Sequence, residues 1–347
     1  MPLKTTVLIL LTSIGLSLQS MAADDTPMDS AEQALADAIN QHTLVAVGDA
    51  HWHTQVMAWI IQCLKQPAIH QPLDAIVVEF GNSRHQAELD RYITGEDNNP
   101  AILRKVTDDT LHFLAWVPEV YRELFTSVRN INLSRPQRPL RIILAEAPFD
   151  WQVEAVGERW LTANDERDPY YWQQIQQQVL DKKHKALLIF GSFHLPRLAQ
   201  SETFDSSVPR IPLGALLHQH LPEHSYVIWP HTQLPEALAG IAETETWQPP
   251  VMVNMHKSAL GQHRFAELTQ RAPSIGQARI ADVFDAYLYL GDLKRSMCMP
   301  ASYLADSAWH TRMQARARAL PEPQSSRLLG LMSQACANAS INDNDSH

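Results

Sequence analysis

Glycine is scarce in this sequence, and the motifs that depend on it are missing. Only 12 of the 347 residues are glycine, and there is no GxGxxG, GxxxxGK[ST] or GxSxG. The zinc-protease motif HExxH is absent too. These absences disfavour a fold built on glycine-rich phosphate loops and the hydrolase classes that carry those motifs.

Positive charge is also in short supply. Lysine and arginine number 28 against 38 aspartates and glutamates, which gives a net charge of −10. A nucleic-acid groove needs concentrated positive charge, so we do not expect a nucleic-acid partner. Histidine is instead abundant, at 16 residues. That excess suggests a site for metal, haem or acid–base chemistry.

Long apolar runs are confined to the first 22 residues. Lys4 precedes an apolar stretch over 7–18, and Ser20 and Ala22 supply small side chains before a cleavage site. This pattern predicts a signal peptide over 1–22 and export to the periplasm or medium. No later run reaches the ~20 apolar residues that a membrane-spanning helix needs, so no transmembrane segment is expected.

Cysteine occurs three times, without CxxC or zinc-ribbon spacing. In an exported protein, Cys298 and Cys336 could form a disulfide that closes a loop of about 38 residues and contributes about 4 kcal/mol. Cys63 lies in an apolar helical pattern and is expected to be a buried small hydrophobe.

Six short apolar runs alternate with helix-like stretches. Near-continuous apolar runs are typical of strands buried on both faces of a parallel sheet. The sequence therefore predicts an α/β fold with a mainly parallel central sheet covered by helices on both faces. The runs cover 44–53, 75–85, 141–151, 186–197, 225–231 and 286–292.

The same pattern suggests the domain organisation. Residues 23–336 are expected to form a single α/β domain. A strand-free stretch over 98–132 is predicted to be a helical insert that caps it, and the polar tail over 337–347 is predicted to be disordered.

Ionisable residues follow four of these runs at the point where each strand ends. They are Asp49, His51 and His53 after the first run, Glu79, Arg84 and His85 after the second, Glu146 and Asp150 after the third, and His194 and Arg197 after the fourth. The carboxyl ends of parallel strands meet at one edge of a sheet, where ligands bind. The sequence therefore predicts a site at this edge.

Two of the strand ends share one pattern. Gly48-Asp49-Ala50-His51 and Gly191-Ser192-Phe193-His194 both read GxxH after an apolar strand. The glycine lets the chain turn sharply, and the histidine three residues later can point back into the crevice. We predict that His51, Glu79 and His194 converge within about 8 Å, a separation that a metal with ~2 Å bonds or a bridging water permits.

Some of these residues also have purely structural interpretations, which remain open. The alternatives are structural roles for His51 and His194, an ion pair between Glu79 and Arg84, a helix cap by Asp150, and a surface pair formed by Arg167 and Asp168.

With these motifs, the chain resembles the superfamily that joins the Tiki-type metalloproteases, the erythromycin-esterase-like hydrolases and the ChaN-like haem-binding proteins. The resemblance runs from about residue 40 to 200. Asp49 stands where the ChaN-like and esterase-like branches usually have glutamate, while His51 has the spacing of the Tiki and ChaN groups. The sequence thus falls between the branches.

The resemblance implies an exported hydrolase that cleaves an ester or amide bond in a small molecule or peptide. With a divalent metal (Mn, Co or Zn), His51, Glu79 and His194 are the expected ligands and Asp49 orients them. Without a metal, His51 is the expected base, Glu79 fixes its tautomer and His194 stabilises the oxyanion. Both versions stay open.

Four further residues are predicted to contact the substrate, namely His53, Arg84, Glu146 and Asp150. Two alternative functions remain. The first is ChaN-like haem or iron binding without catalysis. The second is an amidohydrolase-type barrel, because His51 and His53 form an HxH pair after the first strand.

Overall fold

The structure of this protein is a computed structural model that describes residues 30–201, 209–291, 293 and 295–334. The predicted signal peptide over 1–22, Cys336 and the predicted tail over 337–347 lie outside the described residues. The predicted domain boundaries therefore stay predictions.

The described residues contain seven strands and fifteen α-helices. The strands are β1 (Leu44–Asp49), β2 (Ala75–Asn82), β3 (Arg141–Glu146), β4 (Ala186–Gly191), β5 (Ser225–Pro230), β6 (Val251–Asn254) and β7 (Ala286–Tyr289). The helices are α1 (Ser30–Gln41), α2 (Thr54–Leu64), α3 (Pro67–His70), α4 (Gln86–Thr94), α5 (Ala101–Asp108), α6 (Val120–Ser134), α7 (Val156–Asp165), α8 (Arg167–Ile175), α9 (Leu213–His220), α10 (Glu236–Thr244), α11 (Phe265–Leu268), α12 (Ile280–Val283), α13 (Ala301–Leu304), α14 (Ser307–Arg318) and α15 (Gln324–Met332). Shorter helical turns lie at Ser83–His85, Gln176–Leu180, Ser192–His194, Leu260–Gln262 and Pro273–Ile275.

The strands form one open sheet in the order β3-β2-β4-β1-β5-β7-β6. All neighbouring pairs are parallel except β6 and β7. The prediction of a mainly parallel sheet is confirmed. The sequence missed β6, which is only four residues long, and the barrel alternative is wrong because β3 and β6 leave the sheet open at both edges.

Each strand divides its side chains between two cores. In β4, Leu187 and Ile189 join one apolar cluster, while Leu188 and Phe190 join another. Successive side chains of a strand point to opposite faces, so a run that is buried on both faces has no polar positions. Helices α2 and α6 complete the first cluster, and α8 and α9 complete the second. The prediction of helices on both faces is therefore confirmed.

A third apolar cluster joins the predicted insert to the end of the chain. Phe113, Leu114 and Val117 pack with side chains of α13, α14 and α15, and Trp52 belongs to the same cluster. Trp52 directly follows His51, so the C-terminal helices pack beside the carboxyl edge of the sheet. The sequence predicted the insert as a cap but gave no such place to these helices.

The cysteines follow the sequence expectation as far as they are described. Cys63 is fully buried on α2. Cys298 is disulfide-bonded, and its expected partner Cys336 lies outside the described residues. The Cys298–Cys336 pair therefore stays a prediction. Within the part of the chain that the structure covers, no helix has the length and apolarity needed to cross a membrane.

We expect Leu188→Ala to lower the free energy of unfolding by about 2–5 kcal/mol, because it leaves a cavity beneath the central strand β4. The matched control is Leu133→Ala on α6, where the leucine is 55% exposed and the change should stay within about 0.5 kcal/mol. Denaturant unfolding of both variants measures the difference. Equal losses in the two variants would contradict the assignment of the core.

Candidate active site

The strand order brings three of the predicted strand ends together. β4 lies between β2 and β1, and Asp49 at the end of β1 is in register with Gly191 at the end of β4. A Cβ on Gly48 would lie only 2.6 Å from Pro230 Cδ. Glycine is therefore needed where β1 passes this neighbour, and the chain can turn directly into the segment that carries His51.

His51 is held by the aspartate two residues before it. Its Nδ1 lies 2.9 Å from Asp49 Oδ2, and the hydroxyl of Tyr121 donates to the same oxygen at 2.9 Å. Asp49 and Tyr121 are buried, whereas the His51 side chain is 34% exposed. The Nε2 atom of His51 takes part in no hydrogen bond with the described residues, so this nitrogen can meet a ligand.

His194 forms a second, more deeply buried pair with Asp168. Its Nδ1 lies 2.7 Å from Asp168 Oδ1, and the Arg210 guanidinium donates to the other carboxylate oxygen at 2.7 Å. The backbone N–H of Leu213 also donates to Asp168, at 2.9 Å. The side chain of His194 is only 7% exposed. Asp168 reaches it from the first turn of α8, where Pro169 is tolerated because the first turn lacks intrahelical partners for its N–H groups.

Glu79 joins the two histidines. Its Oε1 lies 3.3 Å from His194 Nε2 and 3.5 Å from Arg167 Nη1, and its Oε2 accepts the backbone N–H of Gly191. A Cβ on Gly191 would lie 2.9 Å from Glu79 Oε2 and 3.2 Å from His51 Nε2. Glu79 and His51 therefore face each other across the space that the missing side chain of Gly191 leaves open.

The insert covers this group. Trp116 packs edge to face against the His51 ring, with the ring centroids 4.5 Å apart. His112, in the same loop, lies 3.1 Å from Asn164 Oδ1 through its Nε2. Trp116 is 1% exposed, so protein covers the side of the His51 ring on which Trp116 packs.

The structure brings together His51, Glu79, His194 and Asp49, the four residues predicted to be catalytic. Asp49, and not Glu79, binds Nδ1 of His51, so the prediction that Glu79 fixes the tautomer of His51 is wrong. The aspartate occupies that position because it ends β1 only two residues before His51.

The predicted substrate-binding residues are placed differently from one another. Arg84 forms an ion pair with Asp150 at 3.2 Å, with both side chains 45% exposed. Glu79 is therefore not the partner of Arg84, and Asp150 accepts Gln152 N–H in a turn rather than capping a helix. His53 precedes α2 without a side-chain capping hydrogen bond.

The fourth predicted substrate contact, Glu146, is 2% exposed and accepts the backbone N–H of Leu111 at 2.9 Å. Leu111 belongs to the predicted insert, so the Glu146 carboxyl connects β3 to the segment that covers the site.

Several residues of the site were not predicted. Arg167 and Asp168, whose interpretation the sequence left open, both enter it. Tyr121, Trp116, His112 and Arg210 were missed as site residues because each comes from a helix or loop far from the strand ends. The density of aromatic residues in 113–121 could have indicated Trp116 and Tyr121, whereas no sequence signal points to His112 or Arg210.

The buried acids of the site have opposite electrostatics. Burial favours protonation of Glu79, but the charges of His194, His51 and Arg167 outweigh it and hold the pKa well below 4.5. Burial also opposes ionisation of Asp168, yet His194 and Arg210 lower its pKa to about 2. At Glu146 burial outweighs the Leu111 N–H and the charge of Arg167, and it raises the pKa well above 4.5.

The predicted metal ligands do not fit a divalent ion in this arrangement. Among residues 30–201, 209–291, 293 and 295–334, no group of three ligating side chains is placed to hold a metal. Both oxygens of Glu79 already face protein donors, and an ion on Oε1 would compete with the Arg167 guanidinium for that oxygen. The Arg167 guanidinium instead supplies positive charge beside Glu79.

No protein-family model and no curated protein matches the sequence of this chain. The structure is similar to a succinoglycan biosynthesis protein, with a TM-score of 0.55 at 10% identity over 75% of this chain and 90% of that one. It is also similar to an erythromycin esterase mutant in its open conformation, with a TM-score of 0.51 at 11% identity over 76% of this chain and 94% of that one.

The ChaN protein of Campylobacter jejuni, which binds haem cofacially, matches with a TM-score of 0.35 at 14% identity over 59% of this chain and 87% of that one. A score this low supports no comparison of sites. The similarity to the erythromycin esterase confirms, at the level of the fold, the resemblance that the GxxH motifs indicated.

The contacts of His51 predict its titration. Burial lowers its pKa, but the hydrogen bond and charge of Asp49, with the charge of Glu79, raise it above 6.5 overall. Asp49→Asn should therefore lower the pKa of His51, as NMR titration of the imidazole resonances would measure, while the exposed His218 serves as the internal control. A His51 pKa that does not fall in Asp49→Asn would contradict the role of Asp49.

The raised pKa also makes stability depend on pH. The contribution of His51 to the free energy of unfolding is fully present below its unfolded-state pKa near 6.5. It is lost as the pH rises through the folded-state pKa.

Proposed function

We propose that this protein is an exported hydrolase that cleaves an ester or amide bond with water activated by His51. The observation that carries the proposal is the state of the His51 ring. Its Nδ1 is bound to Asp49 and Trp116 packs against its ring, while its Nε2 has no hydrogen-bond partner among the described residues and faces the gap over Gly191. A base needs one such accessible nitrogen within reach of water.

His51, and not His194, is the base in this proposal. Both ring nitrogens of His194 face carboxylate oxygens, at 2.7 Å and 3.3 Å. His194 thus has no nitrogen with which to meet water. Its role is to hold the charge of Glu79, which in turn stabilises the imidazolium that forms on His51.

In the reaction, a water near His51 Nε2 gives its proton to that nitrogen while its oxygen attacks the carbonyl carbon. The carbonyl π bond opens and its oxygen becomes an oxyanion. When the tetrahedral intermediate collapses, the bond to the leaving group breaks and His51 returns the proton to the leaving oxygen or nitrogen. Asp49 stabilises the transient imidazolium throughout.

Arg167 is the group best suited to stabilise the oxyanion. Its guanidinium uses two donors on the Asn164 carbonyl and on Glu79, and the remaining N–H groups have no partner among the described residues. The side chain is 15% exposed, so it can meet a ligand from a partly desolvated position. We therefore assign to Arg167 the stabilisation of the oxyanion that was predicted for His194.

The test uses the full chain, expressed for export, with p-nitrophenyl butyrate and erythromycin as probes. Hydrolysis appears as nitrophenolate absorbance or as the gain of one water in mass. We expect His51→Asn to lower kcat/KM at least about 100-fold, whereas His218→Asn, on the exposed side of α9, should keep it. Equal activity in both variants would remove His51 as the base.

The same purified protein tests the alternatives. A Soret band in its absorbance spectrum would support the haem-binding alternative. A stoichiometric Mn, Co or Zn whose removal by a chelator abolishes hydrolysis would overturn the metal-free mechanism. Full hydrolysis in metal-free protein supports it.

Gly191→Ala tests the gap between His51 and Glu79. The added Cβ would lie 2.9 Å from Glu79 Oε2 and 3.2 Å from His51 Nε2, so both side chains must move. A displacement of about 1 Å can cost about 100-fold in rate, and we expect kcat/KM to fall by that order. Gly240→Ala is the matched control, because its Cβ meets nothing within 4 Å. Unchanged kinetics in Gly191→Ala would contradict this geometry.

A further inference from the structure

The loop over 109–119, between α5 and α6, carries Trp116 to His51 and is held mainly by side chains from elsewhere. Trp160 Nε1 donates to the Leu111 carbonyl at 3.0 Å, and Asn82 Nδ2 donates to the Asp109 carbonyl at 3.1 Å. Glu146 accepts the Leu111 N–H at 2.9 Å. These contacts give an irregular segment a fixed path over the sheet edge.

Glu146 holds this loop from the sheet itself, as Asn82 at the end of β2 also does. It is the last residue of β3, next to β2, which carries Glu79. The contact of Glu146 with Leu111 thus connects the 109–119 loop directly to the strands that position the site. At the far end of the same loop, Trp116 lies edge to face on the His51 ring, at 4.5 Å.

We propose that Glu146 is a positioning residue for the hydrolysis, which holds the 109–119 loop through the Leu111 N–H and so keeps Trp116 against His51. Glu146 acts through Trp116 and need not touch the substrate. This inference rests on the proposed function of His51.

The electrostatics agree with this role. Burial raises the pKa of Glu146 well above its ordinary value, and the hydrogen bond from Leu111 and the charge of Arg167 do not offset it. Burial thus favours the protonated carboxyl, and its Oε1 is the acceptor for the Leu111 N–H. A glutamine at position 146 has a side-chain carbonyl oxygen that can accept the same N–H. No neutral side chain could replace Glu79 in this way, because Glu79 is ionised.

The experiment compares Glu146→Gln, Glu146→Met and Trp116→Leu with p-nitrophenyl butyrate as substrate. Glu146→Gln should keep kcat and its pH profile, because the acceptor remains. Glu146→Met, of similar length but without the acceptor, should lower kcat by about 100-fold with KM little changed. If Glu146 acts through Trp116, Glu146→Met should add little to the loss in Trp116→Leu.

A second readout does not need hydrolysis. The Trp116 ring current shifts the His51 ring resonances in the NMR spectrum, so Glu146→Met should move them and Glu146→Gln should not. A parent protein without hydrolase activity but with this pattern would sink the proposed function and keep the positioning role.

Two outcomes would overturn the inference. Loss of activity in Glu146→Gln would mean that the ionised or proton-donating acid itself is needed. Unchanged kcat and unchanged His51 resonances in Glu146→Met would mean that the loop does not depend on Glu146. Should Glu146→Met fail to fold, a loss of activity in Glu146→Gln still overturns the inference.

Discussion

The buried negative charge of Glu79 is the constraint on which the rest of the site depends. A carboxylate taken out of water costs several kcal/mol unless charges and hydrogen bonds compensate it. Here the compensation comes from Gly191 N–H on β4, from His194 after β4 and from Arg167 at the start of α8. Keeping Glu79 ionised thus fixes how two strands, a turn and a helix meet at the carboxyl edge of the sheet.

The same edge carries a buried acid with the opposite character. Glu79 lies within β2 and Glu146 ends the neighbouring strand β3, and both are 2% exposed, yet within the described part of the chain only Glu79 of the two has a guanidinium, that of Arg167, at 3.5 Å. Burial therefore raises the pKa of Glu146, whose carboxyl binds backbone, while the pKa of Glu79 is held low and its charge can stabilise an imidazolium. Both glutamates reach the site because they lie near the carboxyl edge of the sheet. The charged groups beside each one then determine the direction of its pKa shift.

The sequence was sufficient for the features that follow from local pattern. Apolar runs predicted the parallel strands, and the two GxxH segments with Glu79 predicted which strand ends meet. The pattern assigned Asp49 an orienting role only beside a metal. It did not predict that Asp49, and not Glu79, binds Nδ1 of His51, because the path of the turn after β1 decides which carboxylate the imidazole meets. It also missed Tyr121 and Arg210, whose positions depend on helix packing and on contacts between segments distant in sequence. Strand β6 was missed because its four residues directly follow Pro249 and Pro250, which are typical of a loop.

The two GxxH histidines show why matching motifs need not have matching roles. Each histidine uses Nδ1 on an aspartate, at 2.9 Å for His51 and 2.7 Å for His194. Their Nε2 atoms differ, since that of His194 meets Glu79 and that of His51 meets the gap over Gly191. The difference arises because β4 lies between β2 and β1. The turn after β4 brings His194 against Glu79, while Gly191, at the end of β4, leaves a gap between Glu79 and His51. One motif, used twice in a single sheet, thereby yields one histidine that holds a charge and one that is open to water.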